Sequence, residues 1–121
     1  MRTILILLMM SIATPVYAEC GNLCDVVWWQ TATKEILETE LKSGSDIMTR
    51  SKYGNTPLHY SAQSSTAENT VILLEAGADV MVRTDGGSTP LHRAAQNSRH
   101  ETIQVLLDAG AQVMARDEYG I

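Results

Sequence analysis

Phenylalanine is missing altogether from the 121 residues, and two tryptophans with four tyrosines supply all the aromatic rings. An interior short of large rings must be assembled from Ala, Leu and Val, which suits thin stacked layers more than one large globular core. An excess of positive charge is lacking as well, since 9 basic residues face 14 acidic ones. Without its first 18 residues, where Arg2 is the only charge, the chain carries 8 basic against 14 acidic residues, a net of −6. Nucleic-acid backbones and anionic membranes attract positive surfaces, so neither is expected as the main partner. Also missing are the constellations that carry chemistry: a nucleophile with a base and an orienting acid, paired carboxylates in a defined context, a phosphate-binding glycine loop. No enzymatic activity, cofactor or metal is expected.

The amino-terminal residues read as an export signal. Met1 and Arg2 give a short positive start, Ile4 to Ala13 is an apolar run broken only by Ser11, and Pro15-Val16-Tyr17-Ala18 ends on small residues. A membrane anchor would need about 20 apolar residues. A secretory signal over residues 1–18 is the expectation, with cleavage after Ala18. Glu19 before Cys20 lacks the small residue that lipid attachment requires. The mature chain would be exported, to a bacterial periplasm, and free of the membrane once the signal is removed.

What the rest does contain is a period. TPLHYSAQ at Thr56 to Gln63 returns as TPLHRAAQ at Thr89 to Gln96, an offset of 33 residues. Gly21, Gly54, Gly87 and Gly120 fall on the same lattice, as do Gly44, Gly77 and Gly110, and Gln30, Gln63 and Gln96. Four further columns agree: Glu35, Glu68 and Glu101; Leu41, Leu74 and Leu107; Met48, Met81 and Met114; Arg50, Arg83 and Arg116. A fixed period of this length marks a repeat architecture. Thr56 and Thr89 suit helix N-caps, and Pro57 and Pro90 suit the first helical position, where no N–H is needed. Leu58 with Ala62, and Leu91 with Ala95, lie at i and i+4 on one face of a short helix, and alanine there allows close packing. Second helices are expected over about Ala67 to Glu75 and His100 to Asp108, burying Ile72, Leu73, Leu74 and Val105, Leu106, Leu107. Gly77 and Gly110 then serve as C′ residues.

The TPLH motif and the repeat length resemble the ankyrin repeat family, over nearly all of the chain after residue 18. The resemblance implies an all-α ankyrin-repeat solenoid of helix-turn-helix units joined by hairpin loops. It divides the chain into a degenerate first repeat at about 19–50, repeats at about 51–83 and 84–116, and the truncated start of a fourth at 117–121. It also implies that His59 and His92 hydrogen-bond within and between repeats. Equivalent side chains in neighbouring repeats stand about 10 Å apart, too far for one metal to bind both at about 2 Å. His100 reads as a solvated residue at a helix start.

Two departures from the family pattern stand out. Met48, Met81 and Met114 occupy a column where the family places Asn, and packing between elements is a better reading than soft-metal binding. Ser51 and Thr84 stand where the family has Asp, matched only at Asp117, which implies weaker hairpin order around Lys52 and Asp85. The first repeat is irregular, with Trp29 in the column of Ala62 and Ala95. A terminal repeat covers a neighbour on one side only, so one buried and one partly exposed tryptophan are expected of Trp28 and Trp29. Thr33 opens the second helix of that repeat, whose apolar positions are Ile36, Leu37 and Leu41.

Cys20 and Cys24, the only cysteines, would pair as a disulfide after export. In the lattice Cys20 shares the column of Tyr53 and Tyr119, and Cys24 that of Pro57 and Pro90, so a bridge would tie the first hairpin to the first helix. Its loop is short, and stabilisation should fall below the roughly 2–4 kcal/mol typical of disulfides. A thiol-redox role lacks the CxxC spacing, and zinc lacks a nearby histidine.

The function implied is protein binding through the concave side formed by hairpin tips and first helices. Partner-binding candidates there are Lys52, Tyr53, Asn55, Tyr60, Gln63 and Ser64, then Asp85, Ser88, Arg93, Gln96 and Asn97. Tyr53 and Tyr60 are the best anchors, because tyrosine is enriched among interface hot spots. Two alternatives stay open: a periplasmic inhibitor or immunity-like protein, and a thiol-redox protein using Cys20 and Cys24. Beyond Asp117-Glu118-Tyr119-Gly120-Ile121 the next TPLH would follow, leaving the face of repeat 3 drawn from Leu91, Ile103, Leu106 and Leu107 uncovered. Either the sequence is part of a longer array, the reading favoured here, or that face is covered otherwise, in which case self-association is expected.

Overall fold

The computed structural model describes residues 16–113, with side chains from Cys20 onward. The proposed signal and the start of a fourth repeat therefore lie outside the described residues, apart from the backbone of residues 16–18. Among those described, six α-helices occur and no strand: α1 (Val26–Thr31), α2 (Lys34–Lys42), α3 (Pro57–Ser64), α4 (Ala67–Glu75), α5 (Pro90–Gln96) and α6 (His100–Asp108), preceded by a kinked 3₁₀ stretch, Val16–Cys24.

Each helix start follows from local chemistry. The side chain of Asp25 accepts from Val27 N–H at 2.9 Å, Thr33 accepts from Ile36 N–H at 3.3 Å, and Thr66 accepts from Asn69 N–H at 3.1 Å. The two TPLH helices use a reciprocal device, in which the Nδ1 of His59 and His92 accepts the amide of Thr56 and Thr89, at 3.1 and 3.0 Å. Such caps satisfy donors that the helix itself cannot. At the other end, Gly77 (φ 102°) lets its own amide reach Leu74 O and the Ala78 amide reach Leu73 O, at 3.1 and 3.0 Å. That double bond pattern is a Schellman closure, which needs a left-handed residue at C′.

The helices form two layers, an inner one of α1, α3 and α5 and an outer one of α2, α4 and α6, each member packing on the next along the array. One continuous core runs between them through Leu23, Trp29, Leu37, Leu58, Leu73 and Leu106. Of the apolar runs, only the central residues Leu73 and Leu106 are fully buried, while Ile72, Leu74, Val105 and Leu107 are half-buried. Successive helical residues turn by about 100°, so three in a row cannot share one face. For the same reason Leu37 is buried and its neighbour Ile36 is 46% exposed. Leu58 and Ala62 are buried beneath α5, whereas their equivalents Leu91 and Ala95 are half-buried and exposed.

At the N-terminal end, Leu23 and Trp29 are buried, and the Trp29 indole donates to Leu23 O at 2.8 Å. Trp28 is half-buried and meets Trp29 edge-to-face, with ring centroids 4.9 Å apart. Cys20 and Cys24 come together here with Cα atoms 5.5 Å apart, within the span a disulfide bridges. Cys24 precedes α1 rather than opening it, because Asp25 supplies the cap.

Between the outer and following inner helices, fingers at residues 45–55 and 78–88 project as turns. Ser51 Oγ accepts the Asn55 amide at 3.2 Å and Thr84 Oγ1 accepts the Ser88 amide at 3.1 Å, so each hydroxyl closes the turn of its own finger. Successive fingers are tied by the Asp85 amide on Tyr53 O (3.1 Å) and by Arg50 Nη1 on Arg83 O (2.8 Å). They touch closely at Gly54 (φ 81°), where an added Cβ would lie 2.6 Å from Asp85 Oδ1 and 2.9 Å from its backbone nitrogen.

Candidate functional site: the inner face

The inner helices and finger tips share one side of the molecule. Tyr53, at the tip of the first finger, is 66% exposed, and the Lys52 ammonium lies over its ring at 5.6 Å from the centroid. Asp85 is exposed at the tip of the second finger. On α3, Tyr60 and Gln63 are half-buried, but Ser64 is 8% exposed and offers no surface to a partner. Arg93 is half-buried on α5, with Gln96 and Asn97 exposed at its end, where Asn97 Nδ2 donates to Arg93 O at 2.8 Å.

The structure gathers three of these residues, Asn55, Ser88 and Arg93, around one histidine. His59 is buried, and because its Nδ1 accepts an amide, the ring proton sits on Nε2, which donates to Ser88 O at 2.8 Å. Burial, reinforced by the nearby Arg93 and Arg50 charges, pushes its pKa from 6.5 down to about 4, although the bond to Ser88 pulls the other way. Arg93 Nη2 reaches back to Asn55 Oδ1 at 3.1 Å. Arg93 Nε and Ser88 Oγ are buried without a partner.

Val27 belongs to the same surface and is absent from the sequence-based candidates. It is 65% exposed and stands one period before Tyr60 and two before Arg93, so the column Val27, Tyr60, Arg93 runs along the three inner helices. The 33-residue offset could have found it. An exposed valine, however, is visible as such only once its helix is placed.

Charge divides between the layers. Helix α2 carries Glu35, Glu38 and Glu40, α4 carries Glu68 and Glu75, and α6 carries Glu101 and Asp108, against Lys34 and Lys42 alone. The inner helices contain no acidic residue, and Arg50, Lys52, Arg83 and Arg93 lie on the fingers and α5 against Asp46, Asp79 and Asp85. Asp46 and Asp79, at the bases of the fingers, accept the amides of Met48 and Met81, both at 2.9 Å. In the methionine column Met48 is exposed, while Met81 Sδ accepts the Gln112 amide at 3.4 Å, a contact between repeats. Met114 lies outside the described residues.

Among the described residues no group of three or more His, Cys, Asp or Glu could hold a metal ion, and no helix is long and apolar enough to cross a membrane. The end of the third repeat bears an apolar groove of about 270 Å³ lined by Leu91, Ala95, Ile103, Leu107 and Val113.

Paired helices stacked in two layers, with a face of finger tips and inner helices, define a helical-repeat recognition protein. The family model for ankyrin repeats in three copies matches residues 23–117, and the chain belongs to that family. Ankyrin repeats indicate a protein–protein interaction module and are typically non-enzymatic. No curated protein matches the chain.

Proposed function

We propose that this protein acts outside the cytoplasm, after loss of residues 1–18, as a non-enzymatic module that binds a partner protein through its inner face. The observation that carries the reading is exposed Tyr53 and Val27, with half-buried Tyr60 one period after Val27, on a scaffold whose fingers are hydrogen-bonded to one another. A rigid aromatic surface binds with little ordering cost. Cys20 and Cys24 form a disulfide that staples the first repeat. The burial of Cys20 favours a staple over a redox dithiol, which must meet its substrate. The groove at the end of the third repeat takes a further repeat or, in a chain without one, a second copy.

A photo-crosslinking residue in place of Gln63 should trap a discrete partner in the native host. Changing Tyr53 and Tyr60 to Ala should abolish the adduct while leaving the circular dichroism spectrum unaltered; an adduct of unchanged yield would overturn the assignment. The intact mass of the protein from that host checks signal removal and loss of two hydrogens at the cysteines together.

A further inference from the structure

We propose that the inner face is built for an acidic segment of its partner, with a carboxylate seated at Arg93 and a neighbouring apolar side chain against Tyr60 and Tyr53. The inference rests on the inner-face reading and names the chemistry of what is bound.

Three observations carry it. First, the outer helices carry seven acidic residues against two lysines, whereas the inner helices carry Arg93 and no acid, and the fingers balance Arg50, Lys52 and Arg83 against Asp46, Asp79 and Asp85, so the inner side is the less acidic one and Arg93 its one charge on a helix. A chain of net charge −6 once residues 1–18 are removed repels acidic partners in general, and that repulsion is least on the side that holds Arg93. Second, Arg93 makes no ion pair among the described residues, although it is half-buried and its Nε has no acceptor. A guanidinium taken partly out of water without an anion is costly, and a carboxylate is the group whose geometry it matches. Third, the Ser88 hydroxyl, five residues before Arg93 on the same seam, is also buried and without a partner, and Asn55 Oδ1 fixes one edge of the guanidinium. His59 beside them is held neutral by burial, so it neither competes for the anion nor repels the arginine.

The repeat supplies a ruler. Val27, Tyr60 and Arg93 are equivalent positions on adjacent inner helices, which stand about 10 Å apart. A ligand crossing them places its acidic and apolar side chains about 10 Å apart on one face. Residues three apart in a polyproline-type segment, rising about 3.1 Å each, meet that spacing.

The test is a random-peptide phage selection on the full chain, followed by affinity measurement with the enriched peptides. The expected result is enrichment in Asp or Glu three positions from a large apolar residue. Arg93→Gln should then weaken affinity about tenfold or more, and Arg93→Lys should restore part of it. Raising salt should weaken binding to the unmodified protein, which keeps the test valid if a variant misfolds. Peptides that need Tyr53 and Tyr60 but show no acidic excess would overturn the acidic partner and leave the inner-face reading standing. Peptides indifferent to all three positions, or no enrichment, would overturn both. Displacement of the acidic peptides by a single-stranded oligonucleotide at equal or lower concentration would overturn a peptide ligand in favour of a general polyanion site.

Discussion

The seam between the first and second repeats and the seam between the second and third meet the same requirement with different side chains. In each, the loop carbonyl after the inner helix must find a donor in the next repeat. Ala32 O takes the amide nitrogen of Asn69, a buried side chain, at 2.9 Å, whereas Ser65 O, one period later, takes Arg99 Nη1 at 3.2 Å from a half-buried one. Around the first seam lie Trp29 and Leu23, and around the second lie His59, Ser88 and Arg93. The repeat thus dictates where a hydrogen bond is required and leaves open which side chain supplies it. Apolar burial runs through both seams, and the second adds a polar cluster whose strength depends on the solvent.

That contrast can be broken from the apolar side first. Trp29→Ala removes the largest buried side chain of the first repeat and its bond to Leu23 O. It should cost about 3–5 kcal/mol in urea denaturation, with the first repeat melting ahead of the others. A fully cooperative transition shifted by less than about 1 kcal/mol would mean the first seam is not apolar in the energetic sense.

The second seam should respond to pH. The folded value for His59 lies near 4, below its ordinary 6.5, so the unfolded chain takes up the proton first as pH falls. Stability is therefore complete above about pH 6.5, declines as pH falls through the window down to about 4, and by then has lost about 3 kcal/mol on this account. Urea midpoints for the unmodified protein should follow that slope between pH 6.5 and 4.5, and His59→Gln, less stable throughout, should show a flatter profile. Parallel profiles would remove His59 as the cause.

The smallest effects compare the two donors directly. Asn69→Ala strands the buried Ala32 carbonyl and should cost about 1–3 kcal/mol. Loss of the less buried Arg99 in Arg99→Ala should cost about 1 kcal/mol or less, because water can replace it. Thermal unfolding of the pair gives the order; equal costs would erase the distinction between the seams.

Much of this fold was legible because it is written in short-range chemistry. Thr-Pro at a helix start and glycine at a helix end act within one turn, and the outer helices run from Ala67 to Glu75 and from His100 to Asp108 as the periodicity implies. What a residue meets across a seam was less legible. Ser64 has a polar side chain that the lattice aligns with exposed Asn97, yet it is buried, because α3 has neighbours on both sides and α5 has a neighbour described on one. Val27 errs in the opposite direction, apolar by composition and exposed by position. Asn69 and Arg99 carry no motif at all, since they sit in different columns and act on carbonyls more than 30 positions away. Position within a stack, which composition does not encode, decides such cases.

Gly54 carries a consequence for shape. The gap left by its absent side chain is filled by the backbone and carboxylate of Asp85, so the approach of one finger to the next is set where there is no side chain to hold them apart. In a stacked array every such spacing is inherited by the units that follow. A single methyl group at this position would open the angle between neighbours, and the curvature of the whole binding surface, with the outline of any partner that fits it, would change with it.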